Sequence, residues 1–343
     1  MTTLITGATG FVGSHVAREL VSAGHSVRVL IRKQSNLKAL EGLQVERFEG
    51  DLRDGASLEQ SMRGVRCLFH VAADYRLWAR DPGEIYAANV DGTRALFEAA
   101  GRAGVERVVY TSTVATIAVP QENGALPNED THARLGEMIG HYKRSKYLAE
   151  LEALKAAAAG VPIVIVNPTA PVGPGDWKPT PTGRIIVDFL NGRMPAYVDT
   201  GLNLVAVEDV AAGHLQALEK GRIGERYILG ARNMTLKEIL ETIARIAGRR
   251  APRIRMPHAV ALAAGYADEF YSRMVGRVPQ IPVEGVKMSR HRMFVASEKA
   301  ARELGYKTSS VDAAMERAVQ WYELHGHVRS FRSEKRAVAT RAA

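Results

Sequence analysis

Short apolar, β-branched runs recur along the first half of the chain, each followed by turn residues and then by a stretch with helical spacing. Leu4-Ile5 ends the first run, and an amphipathic helical pattern follows from Ser14 to about Ala23. Residues 26–31, 45–50, 67–73, 106–110 and 161–166 read as further strands. Residues 86–103 read as a helix, and another opens at His141 with Leu148, Leu151 and Leu154 marking its apolar side. The alternation predicts an α/β fold: a doubly wound, parallel, Rossmann-like sheet. Beyond the strand exit at residues 167–174 it lapses, and residues 235–248 and 260–276 read as helices of a smaller C-terminal substrate-binding lobe. Their alanines and leucines suit a core rather than a lipid-binding stripe. At 343 residues the chain has room for two domains, or for one with a lobe.

The first turn carries the clearest chemistry. Thr6-Gly7-Ala8-Thr9-Gly10-Phe11-Val12-Gly13 stands between a strand and a helix. Gly7 suits a tight turn, Gly10 a close approach of backbone to a pyrophosphate, and Gly13 close packing of helix on strand. Thr9, Phe11 and Val12 surround that approach and bring free N–H groups to the helix N-terminus, where the dipole favours an anion. The second strand ends in Arg32-Lys33-Gln34-Ser35. An acid at this place accepts from the adenosine ribose in NAD-preferring folds. Here Arg32, Lys33 and Ser35 offer donors to a 2′-phosphate instead, so NADP(H) is the expected cofactor and NAD(H) the alternative. Asp51 and Leu52 follow the third strand, where Asp51 is either an adenine contact or a helix N-cap. Val71, Ala72 and Ala73, small residues at the end of the fourth, suit backbone running past the cofactor. His70 is expected to be packed, and residues 74–80 to form a loop over the site. The fifth strand delivers Thr111-Ser112-Thr113 at its C-terminal end, where open α/β sheets bind ligands. Tyr142 and Lys146 are four apart and share a helix face. A lysine ammonium ~4 Å from a phenol, at an effective dielectric of ~20, is worth about 4 kcal/mol, or roughly three pKa units toward the phenolate. That would bring the tyrosine near the range of a general acid–base.

Composition narrows the partners. The net charge is +9 and the pI about 9.6, with part of the excess in Arg329, Arg332, Lys335, Arg336 and Arg341 of the tail. No basic stretch is interleaved with aromatics, so no nucleic-acid partner is expected. Cys67 is the only cysteine, which leaves no internal disulfide. The histidines show no metal spacing, and His325 and His327 are expected to be solvated. No metal site is predicted. With no room for a leader and no long apolar run, a cytoplasmic location is expected.

The glycine turn, the hydroxyl at a strand end and the Tyr142-x-x-x-Lys146 pair, in this order, resemble the extended short-chain dehydrogenase/reductase superfamily, the NAD-dependent epimerases and dehydratases. Within it, the stretches His70-Val71-Ala72-Ala73-Asp74-Tyr75-Arg76-Leu77-Trp78-Ala79, Ile139-Gly140-His141-Tyr142-Lys143-Arg144-Ser145-Lys146 and Lys178-Pro179-Thr180-Pro181-Thr182-Gly183-Arg184 resemble the hopanoid-associated sugar epimerases. That subgroup is similar to dihydroflavonol reductases. The resemblance implies that Gly7, Gly10 and Gly13 hold the pyrophosphate and that Asp51 and Leu52 meet adenine. It makes Thr113 the residue that binds the substrate oxygen, with Ser112 the alternative, Tyr142 the proton donor and acceptor, and Lys146 the group that lowers its pKa and holds the nicotinamide ribose. Asn89, Thr111, Pro168 and Thr169 complete the expected cofactor contacts. It further implies a dinucleotide-binding domain of residues 1–168 plus about 205–230, a lobe of about 169–204 and 231–326, and a basic tail, 327–343. Helices 86–103 and 141–159 would pair in a homodimer. The activity implied is oxidoreduction or epimerisation at a carbonyl or secondary alcohol of a sugar-like, polyol or lipid-linked substrate, in the setting of hopanoid biosynthesis. The basic strand end favours a carbonyl reductase exchanging NADPH. A non-catalytic NADP-binding sensor is a further alternative, and the basic tail offers weak contact with a membrane surface.

Overall fold

The computed structural model describes residues 2–119 and 124–328. The basic tail, from Arg329 onward, lies outside the described residues. In chain order the first half runs β1 (Thr2–Thr6), α1 (Phe11–Ser22), β2 (Ser26–Ile31), β3 (Glu46–Glu49), α2 (Gly55–Ser61), β4 (Cys67–His70), α3 (Gly83–Tyr86), α4 (Gly92–Arg102), β5 (Arg107–Thr111), α5 (Gly140–Ala158) and β6 (Ile163–Pro168). The second half begins with β7 (Ala170–Val172), α6 (Pro181–Leu190), β8 (Ala196–Tyr197), β9 (Gly201–Ala206), α7 (Val207–Lys220), β10 (Arg226–Leu229) and β11 (Arg232–Thr235). It ends with α8 (Leu236–Ala247), β12 (Ile254–Arg255), α9 (His258–Val275), α10 (Val283–Met288), α11 (Glu298–Leu304) and α12 (Val311–Leu324).

Seven strands form one parallel sheet in the order β10-β6-β5-β4-β1-β2-β3. Its inner strands are rich in Val, Ile and Leu because helices cover both faces, whereas the edge strand β3, Glu-Arg-Phe-Glu, is mostly exposed. On one face α1 and α7 pack Val16, Leu20 and Val210 against Ile5, Val29 and Val166; on the other α2, α4 and α5 pack Leu58, Leu96 and Ala149 against Leu4, Leu68 and Ile165. The chain winds one way from β1 to β3 and the other way from β4 to β10, so the winding reverses between β1 and β4. A crevice opens at their C-terminal ends, where a doubly wound sheet binds its ligand.

A second core holds the lobe. Sheet β11-β9-β7, with α6, α8 and α12, encloses Leu204, Met234, Leu240, Met315 and Tyr322. Helix α8 has a Thr235–Glu238 capping box and ends on left-handed Gly248. His327 and Val328 also belong to this core rather than to a free tail: Val328 is buried, and the His327 ring stacks 5.5 Å from Trp321. His325 stacks on the same indole at 4.3 Å but stays exposed, as expected, so only the expectation for His327, which is half-buried, is corrected.

Three other readings change. The helix expected over 86–103 is interrupted: α3 passes into a π-helical segment over 87–91 before α4 begins. The leucines of α5 are not its most buried side. Lys143, Ser145, Lys146, Ala149, Glu150 and Ala153 are, and Leu148, Leu151 and Leu154 remain half-buried. Helix α9 buries only Ala261, Gly265 and Ser272, and its large apolar side chains are exposed, so it is not the core helix expected.

Candidate active site

The β1–α1 turn follows from three glycines. Gly7 has φ +75°, and a Cβ there would lie 2.5 Å from the Ala72 amide nitrogen. A Cβ on Gly13 would collide with the Gly7 carbonyl. Gly10 is exposed at the N-cap of α1, with no side-chain cap and no acid in the first turn. The first amides of α1, those of Phe11, Val12 and Gly13, therefore face the crevice without intrahelical acceptors. This cradle fits a pyrophosphate. Thr9 borders it half-buried, while the Phe11 ring turns away, edge-on to His15, so Phe11 could contact a cofactor through backbone only. Across the crevice the Val71 and Ala72 amides donate to the Thr6 carbonyl and hydroxyl, and Ala73 is exposed beyond them. His70 is packed as expected. It bonds the hydroxyls of Thr6 and Thr93, both at 2.8 Å, and burial pushes its pKa down to about 3.

At the far end of the crevice, Arg32 and Lys33 are exposed and have no ion-pair partner among the described residues. The Ser35 hydroxyl instead accepts from the Arg32 amide at 3.0 Å and closes the turn that presents both cations. Asp51 is engaged locally: Arg53 grips its carboxylate at 2.9 Å and, with help from Arg32, pulls its pKa down to about 2. Asp51 is not a helix N-cap, since Asp54 caps α2. Leu52 packs against Gly92 beneath it.

At the other end, β5 and α5 bring the catalytic candidates together. Tyr142 is half-buried with its phenol enclosed. Desolvation raises its pKa, and a hydrogen bond with Thr113 works against that rise. Thr113 caps the short turn after β5. Its oxygen accepts from the Ala115 amide at 3.2 Å, which leaves the hydroxyl proton to be donated elsewhere. Lys146 departs from expectation. Its ammonium donates to the Tyr110 phenol and to the Thr111 carbonyl, both at 2.9 Å, and no hydrogen bond joins it to Tyr142. Burial lowers Lys146 to about 7, while the Glu150 carboxylate one turn further on works the other way. The acidifying ion pair expected for Tyr142 is absent, and its phenol is held in the protonated form.

Several expected cofactor contacts face elsewhere. The Thr111 hydroxyl bonds His214 at 2.8 Å, and Thr169 donates to the Leu229 carbonyl. Asn89, in the π-helical segment, accepts from the Asp74 amide at 2.7 Å and donates to the Asp74 carbonyl and to Ser145. Ser145 in turn donates to the Tyr142 carbonyl at 2.8 Å. Asn89 thus ties the loop after β4 to α5. Pro168 is buried where β6 leaves the sheet.

The sequence reading missed the supports of this site. Glu150 is buried and accepts from Asn167 at 2.8 Å and from Thr116 at 2.9 Å; Arg226 stands 3.3 Å from its other oxygen. Asn167 also donates to the Thr113 carbonyl. The signal was available: Glu150 is four residues after Lys146 on one helix face. Tyr75 leans toward Tyr142 and Asp176, and burial together with those neighbours pushes it up to about 12. From the lobe, Glu284 accepts the His141 amide at 3.1 Å and caps the N-terminus of α5. Gly140 has φ +83° there, and a Cβ would strike the Glu284 carboxylate. Among the described residues no cluster of side chains could hold a metal.

The profile of the NAD dependent epimerase/dehydratase family matches residues 3–230. The chain belongs to that family. It is an enzyme of the extended short-chain dehydrogenase type, with oxidoreductase or epimerase chemistry at a nicotinamide cofactor. A dihydroflavonol 4-reductase-like protein of Synechocystis is 46% identical over 330 residues, spanning 95% of this chain and 96% of that one. Sterol demethylase protein B of Methylococcus capsulatus is 37% identical over 96% of this chain and 100% of its own. The crystal structure of a nucleoside-diphosphate-sugar epimerase from Pseudomonas aeruginosa superposes with a TM-score of 0.80 at 28% identity, covering 96% of this chain and 99% of that one.

Proposed function

We propose that this family member is an NADPH-dependent reductase acting on a carbonyl of a polycyclic, lipid-like substrate. The reading rests on Arg32 and Lys33, exposed and unpaired where an NAD-preferring fold holds an acid, while the nearby Asp51 is already held by Arg53. A planar guanidinium and an ammonium at that place complement a 2′-phosphate. The cofactor, when bound, supplies hydride to the substrate carbon. The chain supplies the rest. Thr113, its acceptor side occupied by Ala115, donates its proton to the substrate oxygen and fixes it. Tyr142, held protonated by burial, delivers the proton that the reduced oxygen takes up, which is the direction a reductase needs. Lys146 keeps the end of β5 and the phenol of Tyr110 in place beneath them. Tyr75 and the loop of residues 74–80 cover the reacting end. Two relatives are named for dihydroflavonol and for sterol, and the resemblance to hopanoid-associated enzymes points the same way. Half-buried Leu148, Leu151 and Leu154 on α5, beside α4, fit the expected pairing of two copies.

The test is titration of the protein with NADPH and NADH, together with mass spectrometry of any nucleotide released on denaturation. The expected result is empty protein that binds NADPH at least tenfold more tightly, since a charge-assisted hydrogen bond is worth about 1.5–3 kcal/mol. Arg32→Asp should remove that preference. Stoichiometric retained NAD would overturn the proposal in favour of a second reading, a sugar epimerase that keeps its cofactor, which the Pseudomonas structure favours.

A further inference from the structure

Helix α9 has its chemistry turned inside out. Eight of the thirteen exposed large apolar side chains among the described residues lie between positions 260 and 281. Tyr266, Phe270 and Met274 form one outward row at helical spacing, and Tyr271 and Val275 form the next, continued by Val278 past the C-cap. Arg273 is the one charge exposed on this half of the helix. The two acids of α9 face the protein instead: Asp268 accepts from the Gln280 and Ile281 amides at 2.6 and 2.8 Å, and Glu269 from the Val283 amide at 2.8 Å. Patches of this kind mark docking sites on soluble proteins.

The surroundings say what docks. Residues 249–292 hold nine Lys and Arg against three Asp and Glu, a net +6 of the chain's +9. Among the described residues Arg250, Arg253, Arg273 and Arg290 have no ion-pair partner, and the Lys287 ammonium stands 5.7 Å from the Tyr266 ring. Two copies meeting through this face would bring the two cationic rims together, so the occupant must be anionic as well as apolar. Aromatic rings beside lysine and arginine suit the boundary between acyl chains and phosphate headgroups. No helix among the described residues is long and apolar enough to cross a membrane, so contact here lies in the surface.

We infer that the outward face of α9, with its rim of cations, docks the protein on an anionic lipid bilayer. Helix α10 packs beside α9 and caps the catalytic helix through Glu284, with Leu77 of the site loop against Gly285. A docked molecule therefore holds the roof of its active site close to the bilayer. The inference concerns the surface alone and stands whether or not the substrate is a lipid.

Co-sedimentation of the full chain with phosphatidylcholine vesicles and with vesicles that also contain phosphatidylglycerol tests it. Binding should require the anionic lipid and weaken with salt. Phe270→Ser with Met274→Ser should reduce it tenfold or more, because both side chains lose their burial at the acyl boundary. Arg273→Glu, a change of two charges, should cost about thirtyfold, from ~1 kcal/mol per charge near the surface. A variant ending at residue 328 should keep most of the binding. Unchanged binding of the serine variant, or loss of all binding with the tail alone, overturns the inference. So does light scattering that shows the serine substitutions splitting a dimer, which would make this face an interface between copies. Circular dichroism of each variant confirms that it is folded.

Discussion

Helices α5 and α9 are nearly equal in length, 19 and 18 residues, and each breaks the rule that a surface helix turns its apolar stripe inward. Helix α5 buries two lysines and a glutamate and leaves its leucines at the margin. Helix α9 leaves Phe270 at 68% and Met274 at 73% exposure and turns its carboxylates toward the protein. The charges of α5 are costly to bury, and on the proposed mechanism they give Tyr142, Thr113 and Lys146 a fixed, dry frame. The apolar face of α9 is kept because, on the reading above, its partner is outside the molecule. Departures from pattern of opposite sense thus mark a site in one helix and a surface in the other.

On the proposed mechanism the largest effect in α5 should come from Tyr142. Tyr142→Phe removes the proton donor and keeps the ring, so kcat should fall by about 10²–10⁴ while NADPH affinity and melting temperature hold. Near-normal turnover in this variant would take the reaction away from α5 altogether.

Glu150→Ala addresses the frame. It leaves Arg226, Asn167 and Thr116 without their shared acceptor, and breaking a buried pair costs about 3–5 kcal/mol. Urea denaturation should show that loss. It should also move any activity limb carried by Lys146 to lower pH, because Glu150 opposes the downward shift of that amine. A loss below ~1 kcal/mol would mean that Arg226 is content in water and that the network is ornamental.

These residues also show where sequence reasoning reached and where it stopped. The glycine turn was legible because Gly7, Gly10 and Gly13 act within one turn, and the strands because buried parallel strands are continuous apolar runs. That Tyr142 and Thr113 lie close together was suggested by helix spacing and by the strand end, and the structure joins them by a hydrogen bond. The partner of Lys146 was not legible: Tyr110 lies 36 residues away and meets the amine only across the β5–α5 packing. The hydrogen-bond partners of Asn89 were not legible either, because a π-helical segment, invisible in periodicity, turns its amide to Asp74 and Ser145. In α9 the same composition serves a core or an exposed face, and only the position of neighbouring helices decides which.

Lys146→Met sharpens the account of α5 through pH. Burial lowers the folded-state pKa to about 7, from 10.5 in the open chain. Below pH 7 both states hold the proton, and the native state bears the full cost of an enclosed ammonium. Between about 7 and 10.5 the native state releases the proton first, so the wild type gains stability as pH rises. The variant cannot. Its stability relative to wild type should be greatest near pH 6 and should decline by up to a few kcal/mol toward pH 10, against a constant loss of the bonds to Tyr110 and Thr111. A difference that stays flat across that range would show that Lys146 is not desolvated.

The smallest expected change is the most telling for α9. If its apolar face were misassigned core, Phe270→Ser or Met274→Ser would resemble the truncation of a buried side chain such as Leu240 in α8, at about 2–5 kcal/mol. An exposed face predicts something else: each substitution should fall within about 0.5 kcal/mol of wild type in urea, and kcat on a small, freely dissolved carbonyl should not move. The stability of the two variants should therefore be indifferent to the side chains that vesicle binding needs most. A large loss of stability would return α9 to the ordinary pattern, in which case only α5 would depart from it.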